Sequence, residues 1–190
     1  MSEEVEGTPE NASFLSARGS VDAVDALVEG FVTERRAQSI AAEYPEVAES
    51  VVAWIREAAC ARHWPRVERL ANLAAALQAP GMGETLREIL DADVPELNNE
   101  DLVDILGQIR AADAAASLYR AAERSVQVDA PAYWLCQKVI ASLGEIGTRE
   151  ALGYVRNMTA SRWPDVVRWH AAVELGAEEE LGFDEGRMLE

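Results

Sequence analysis

The 190 residues carry 34 acidic against 17 basic side chains, a formal charge of −17, and 49% of them are hydrophobic. That balance argues against general nucleic-acid binding, which needs clustered Lys and Arg, and against adsorption to an anionic membrane surface. It suits either plain solubility or the steering of a basic protein partner.

No stretch approaches the ~20 apolar residues of a membrane-spanning helix. Aromatic residues are few and Ala is abundant, which favours closely packed helices over a sheet. Sixteen Arg stand beside a single Lys, Lys138, a composition suggestive of a GC-rich bacterial genome. The acidic start has no secretory-signal pattern, and two cysteines, Cys60 and Cys136, make no disulfide framework. A reducing cytoplasm is the expected compartment, with both thiols acting as small core residues.

In chain order, residues 1–18 read as a disordered acidic lead, with Glu3, Glu4, Glu6 and Glu10. One domain is expected over 19–182, and an acidic tail over 183–190. Ser20 is placed to cap a helix whose face is Val21, Val24, Val28 and Phe31, running to about Ser39. Tyr44-Pro45 punctuates. Val47, Val51, Trp54, Ile55 and Ala58 share one helical face, and so do Val67, Leu70, Ala74 and Leu77 after Trp64-Pro65. Pro80-Gly81-Met82-Gly83 breaks the pattern, and a short helix follows with Leu86, Ile89 and Leu90. Asp91 to Asn99 is a polar connection inside an acidic run: residues 84–104 hold eight acids and only Arg87. Asn98 or Asn99 caps the next helix, which reaches Ile109, and residues 113–125 form its partner.

An internal repeat follows. Leu135, Val139, Leu143 and Ile146 lie on one face of a 3.6-residue period, and Val167, Ala171 and Leu175 repeat it. A Leu-Gly pair recurs at Leu106-Gly107, Leu143-Gly144 and Leu175-Gly176, spaced by 37 and then 32 residues. The glycine is expected to end each helix or to admit close backbone approach. Pro131 and Pro164 suit a first helical turn. A period of this size marks a helical solenoid, in which stacked pairs bury faces that one pair cannot. Leu181 and Phe183 are available to cover the last repeat.

The segment Asp165-Val-Val-Arg168-Trp-His-Ala171-Ala172-Val-Glu-Leu175-Gly176 resembles the second helix of HEAT-type repeats, the short bacterial HEAT-like kind in particular. Leu143-Gly-Glu-Ile-Gly-Thr-Arg-Glu-Ala151 is similar to that family's turn into the next repeat. The resemblance covers about 130–176 well and 98–125 more weakly. It departs from the family at Cys136, which stands where Arg168 stands in the last repeat. It implies an all-α, right-handed α-solenoid of stacked antiparallel helix pairs, about nine or ten helices in all. It implies a style of binding rather than an activity.

Few residues are arranged for chemistry. Cys60 and His63 are spaced i, i+3, but two ligands do not make a zinc site, and nothing in the sequence joins them to Cys136 and His170. No Gly-x-Ser-x-Gly motif or phosphate-binding loop is present, and the carboxylates are too numerous to single out a pair. No catalytic residue, metal or cofactor is assigned. Arg56, Arg62, His63, Arg66 and Arg69 read as a solvated face with i,i+4 pairs. Trp54 reads as core, and Trp64 and Trp163 as staples at helix starts. Trp169 stands off the apolar stripe beside Arg168 and aligns with Gln137 of the previous repeat. With Tyr133 these form a candidate contact strip, and Asp101 and Asp104 supply its acidic side. The expected function is a non-enzymatic module that binds a basic protein, as an inhibitor or immunity-type protein neutralising a basic toxin would. The alternatives are a HEAT-like enzyme acting on a nucleobase or pigment chromophore, and a scaffold subunit of a larger assembly.

Overall fold

The structure is a computed structural model that describes residues 19–28 and 30–183. The acidic lead over 1–18 and residues 184–190 of the tail lie outside the described residues. Ten α-helices and one 3-10 turn are present among the described residues, with no strand. None of the helices is long and apolar enough to cross a membrane. The chain forms two compact units that divide between Ala79 and Pro80.

The first unit holds α1 (19–27), α2 (Glu34–Glu43), α3 (Val47–Cys60) and α4 (Trp64–Ala76). The face expected to run unbroken from Val21 to Ser39 is two helices. Gly30 takes a left-handed φ of 64°, which reverses the chain. Thr33 then caps α2, its Oγ1 accepting the Arg36 amide at 3.3 Å. Val21, Val24 and Val28 are buried, but Phe31 sits in the bend, off any helical stripe, and is 76% exposed. Ser20 lies inside the helical run rather than capping it, because its hydroxyl engages the Glu46 carboxylate instead.

From α3 onward most of the expected stripe residues are buried, while Leu77, Leu135 and Leu175 are half-buried. Val47, Val51, Trp54, Ile55 and Ala58 are all buried, as are Val67, Leu70 and Ala74 of α4. The two helices pack on each other, and α2 packs on both. Cys60, expected in the core, ends α3 exposed, because it stands two positions beyond Ala58 and so on the side opposite the buried stripe. His63 caps α4: its Nδ1 accepts the Arg66 amide at 3.3 Å, and Pro65 fills a first-turn position.

The second unit contains α5 (Met82–Asp91), α6 (Asn99–Gln108), the 3-10 turn Ala112–Ala114, α7 (Ala115–Ser125), α8 (Trp134–Ile146), α9 (Arg149–Met158) and α10 (Asp165–Glu174). Each helix packs on its sequence neighbour or on the helix two along. α6 packs on α8 and α8 on α10, while α5 packs on α7 and α7 on α9. The core takes the expected Leu86, Leu90, Leu106 and Leu143, and with them Leu102, Leu118 and Met158, all fully buried. Asn98 caps α6, accepting the Glu100 amide at 3.1 Å. Thr148 caps α9, accepting the Ala151 amide at 3.1 Å.

The three Leu-Gly pairs do not share one role. Gly107 lies within α6 against the backbone of α8. Gly144 lies within α8, which runs on to Ile146 and ends at Gly147 with φ 65°. Only Gly176 terminates its helix: φ is 61°, and the Ala177 amide reaches back to the Ala172 carbonyl at 2.9 Å. The proline expectations need a similar correction. Pro164 occupies the N-cap of α10. Pro131 lies ahead of α8, whose start is set by Asp129 Oδ2 accepting the Leu135 amide at 2.9 Å.

Candidate interaction face

The residues expected to make contacts all lie in the second unit, on α6, α8 and α10, which pack in that order. On α6, Asn98 sets the helix start, so Glu100, Asp101 and Asp104 fall opposite or beside the buried Leu102, Val103 and Leu106 stripe. Asp104 is exposed and bonds Lys138 of α8. That bond, with the added charges of Glu100 and Asp101, holds the Lys138 ammonium above its ordinary pKa against the opposing effect of burial. Asp104 thus pairs with the one lysine of the chain, and Glu100 and Asp101 add negative charge to its surroundings.

On α8, Trp134 and Lys138 are one turn apart and share a face. Trp134 is 58% exposed. Neither residue belonged to the expected strip, although both stand away from the Val139, Leu143 and Ile146 stripe, and that offset is visible in the spacing. Tyr133 is half-buried at the N-cap of α8, in the left-handed region with φ 53°. Gln137 is turned back on its own loop, its amide donating to the Ala132 carbonyl at 2.7 Å. Cys136 is buried against Ser125, and burial pushes its thiol pKa up.

On α10, Trp169 is half-buried and meets His170 edge-on, with ring centroids 4.8 Å apart. Burial lowers the His170 pKa. Arg168 is committed within the chain. Its guanidinium bonds Asp165 at 2.6 Å and the Thr159 carbonyl at 3.2 Å, and it lies over the Phe183 ring at 5.2 Å. Phe183 therefore does fold back on the last helix pair, whereas Leu181 stays exposed. Of the expected strip, Asp104 bonds Lys138, whereas Gln137 bonds Ala132 and Arg168 bonds Asp165 and Thr159.

Other expected residues have structural partners. Trp163 is buried with its ring edge-on to Tyr119 at 5.9 Å, and Tyr119 stacks on Tyr154 at 4.7 Å. Arg162 bonds the Tyr119 hydroxyl. The acidic run is partly neutralised: Asp91 pairs with Arg120 at 2.9 Å and Asp93 with Arg124 at 3.1 Å. Among the described residues, no group of three or more His, Cys, Asp or Glu side chains is gathered as metal ligands would be.

Glu174, on the last turn of α10, is unfavourably placed. Burial, and secondarily the charge of Glu145, raise its pKa. A carboxylate raised in the folded state contributes most below its unfolded pKa, and stability falls as pH rises through the folded value. Glu174→Gln is expected to raise stability at pH 7 by up to about 0.5 kcal/mol, a small effect because the side chain is largely solvated. The gain should vanish near pH 4 in urea denaturation curves. An equal gain at both pH values would trace the effect to packing rather than charge.

Chemically, the face offers carboxylate acceptors, one paired ammonium and an exposed indole. These are means of contact: charge-assisted hydrogen bonds to guanidinium or ammonium groups, and cation–π stacking. No protein-family model, curated protein or solved structure matches the chain.

Proposed function

We propose that the chain is a non-enzymatic protein-binding module that holds a basic protein partner on the α6–α8–α10 side of its second unit. In this reading the second unit is a short, right-handed α-solenoid of HEAT-like pairs: α5 with α6, α7 with α8, and α9 with α10. The packing of alternate helices supports the stack, because a solenoid joins like helices of successive repeats. An inhibitor of the immunity type, neutralising a basic toxin, is the specific form that a small acidic chain suits.

One observation carries the reading. Asp104 pairs with Lys138 in a field to which Glu100 and Asp101 add, and the exposed indole of Trp134 stands one turn away on the same helix as that lysine. Negative potential beside an exposed aromatic anchor is the chemistry that recognises an Arg- or Lys-rich surface. The test is affinity capture from nuclease-treated host lysate, with elution by rising salt. A basic protein should elute in proportion to salt, and an immobilised variant with Glu100, Asp101 and Asp104 each changed to Lys should fail to retain it. Retention that is insensitive to salt and to charge reversal would sink the reading.

A further inference from the structure

The geometry points to a second binding site, in the first unit, that takes a small organic cation carrying an alkylguanidinium or alkylammonium head. α1, α3 and the start of α4 enclose a cleft of about 290 Å³. That volume lies at the small end for ligand sites, enough for a short stem and one polar head.

The walls divide by chemistry. Val21, Trp54 and Ala58 form an apolar side. Trp54 is 6% exposed, so its indole is held by the core and presents only an edge of surface to the cleft. Asp22, Glu57 and Arg66 supply the charge. Arg66 is not free to receive an anion. Its Nε donates to Asp25 at 3.1 Å and its Nη2 to Asp22 at 2.7 Å, while Asp25 also takes both donors of Arg69. Two arginines and two aspartates cancel in that network. Glu57 adds a carboxylate, which leaves the cleft one negative charge in balance. His63 also lines it, with its Nδ1 occupied by the Arg66 amide.

A cationic head would therefore meet Glu57 and the second oxygen of Asp22, with its stem along Val21 and Ala58. An anion would meet two carboxylates and a guanidinium whose charge is already matched by Asp22 and Asp25. The head could belong to a free amine or to an arginine side chain of a protein, and the two sources share one chemistry. This site lies in the first unit and does not depend on the acidic face of α6.

The experiment is isothermal titration of the full chain at low salt with three probes: agmatine, N-acetyl-arginine methylamide and sodium acetate. Agmatine should bind, acetate should not, and Glu57→Gln should weaken agmatine binding about tenfold, the usual scale for a charge-assisted hydrogen bond. Binding of the arginine amide but not of agmatine would identify a protein side chain as the source and leave the site standing. The inference is overturned if neither cation binds at millimolar concentration, if acetate binds as well as agmatine, or if Glu57→Gln leaves the affinity unchanged. Glu57 is exposed, so its variant keeps the test decisive even where Asp22→Asn, which disturbs Arg66, fails to fold.

Discussion

Asp25→Asn is expected to destabilise the chain by about 2–4 kcal/mol, because it breaks a largely buried ion-pair network from its centre. Asp25 is 8% exposed on α1, and its two oxygens accept Arg69 Nε at 2.8 Å, Arg69 Nη2 at 2.9 Å and Arg66 Nε at 3.1 Å. Asparagine retains one acceptor oxygen and turns an N–H₂ group toward a guanidinium. Arg69 then loses its carboxylate partner while still half-buried, and Arg66 keeps only Asp22, at 2.7 Å. The pH dependence follows from the same bonds. Burial works to raise the Asp25 pKa, and the hydrogen bonds and charges of Arg69 and then Arg66 outweigh it, so the carboxyl sits below its ordinary value. A carboxylate depressed in the folded state stabilises above its unfolded pKa, near 3.9, and that contribution is lost as pH falls through the folded value. Guanidinium-free denaturation, by urea at pH 7 and at pH 3, should show a gap between wild type and variant that narrows in acid. A gap below about 0.5 kcal/mol at pH 7 would mean that the network behaves as an ordinary surface pair.

These arginines illustrate where sequence reasoning stops. Arg66 and Arg69 share a face of α4, while Arg62, spaced as if on the same face, lies in the turn before it with φ 56°; the natural partners to assign from the spacing are acids one turn away. The observed partners are Asp22 and Asp25, 41 to 44 residues earlier. Lys138 and Asp104 repeat the lesson at a separation of 34 residues. Periodicity reports which side of a helix is buried, since apolar atoms must leave water wherever the neighbour comes from. It does not report which neighbour arrives, and ion pairs depend on that. Hence the stripes of α3, α4, α6 and α8 were legible, and so was the Asn98 cap, whereas the pairing that sets the electrostatics was not. Phe31 failed for a local reason: a helical period continued on paper through Gly30, whose positive φ ends it. The candidate face was half legible. Asp101, Asp104 and Trp169 follow from charge and from departure from the stripe. Trp134 carried the same signal, at i and i+4 with Lys138, and its large exposed indole follows from that position.

The recurring Leu-Gly pairs give the sharpest contrast between two substitutions that look alike in sequence. Gly107→Ala is expected to cost about 1–3 kcal/mol, the range for overpacking a close contact, even after the better helix propensity of alanine returns up to about 1 kcal/mol. A Cβ at Gly107 would stand 2.7 Å from both Cα and Cβ of Ser142. The obstacle is backbone, on a helix also fixed by the Ser142 hydroxyl donating to the Val103 carbonyl at 2.9 Å. α6 and α8 would have to separate, and that crossing is a central contact of the second unit. Gly144→Ala meets a different neighbour. Its Cβ would fall on the carboxylate end of Glu174, and that end can swing away toward solvent. Glu174 is already unfavourably placed by burial and by Glu145, so displacing it removes a penalty while alanine favours the helix. Gly144→Ala should therefore be neutral or stabilising by up to about 1 kcal/mol. Thermal and urea unfolding of the two variants in parallel checks the ordering. Equal losses at both positions would mean that Glu174 is held as firmly as the backbone of α8, and the close approach of α6 to α8 would lose its special standing.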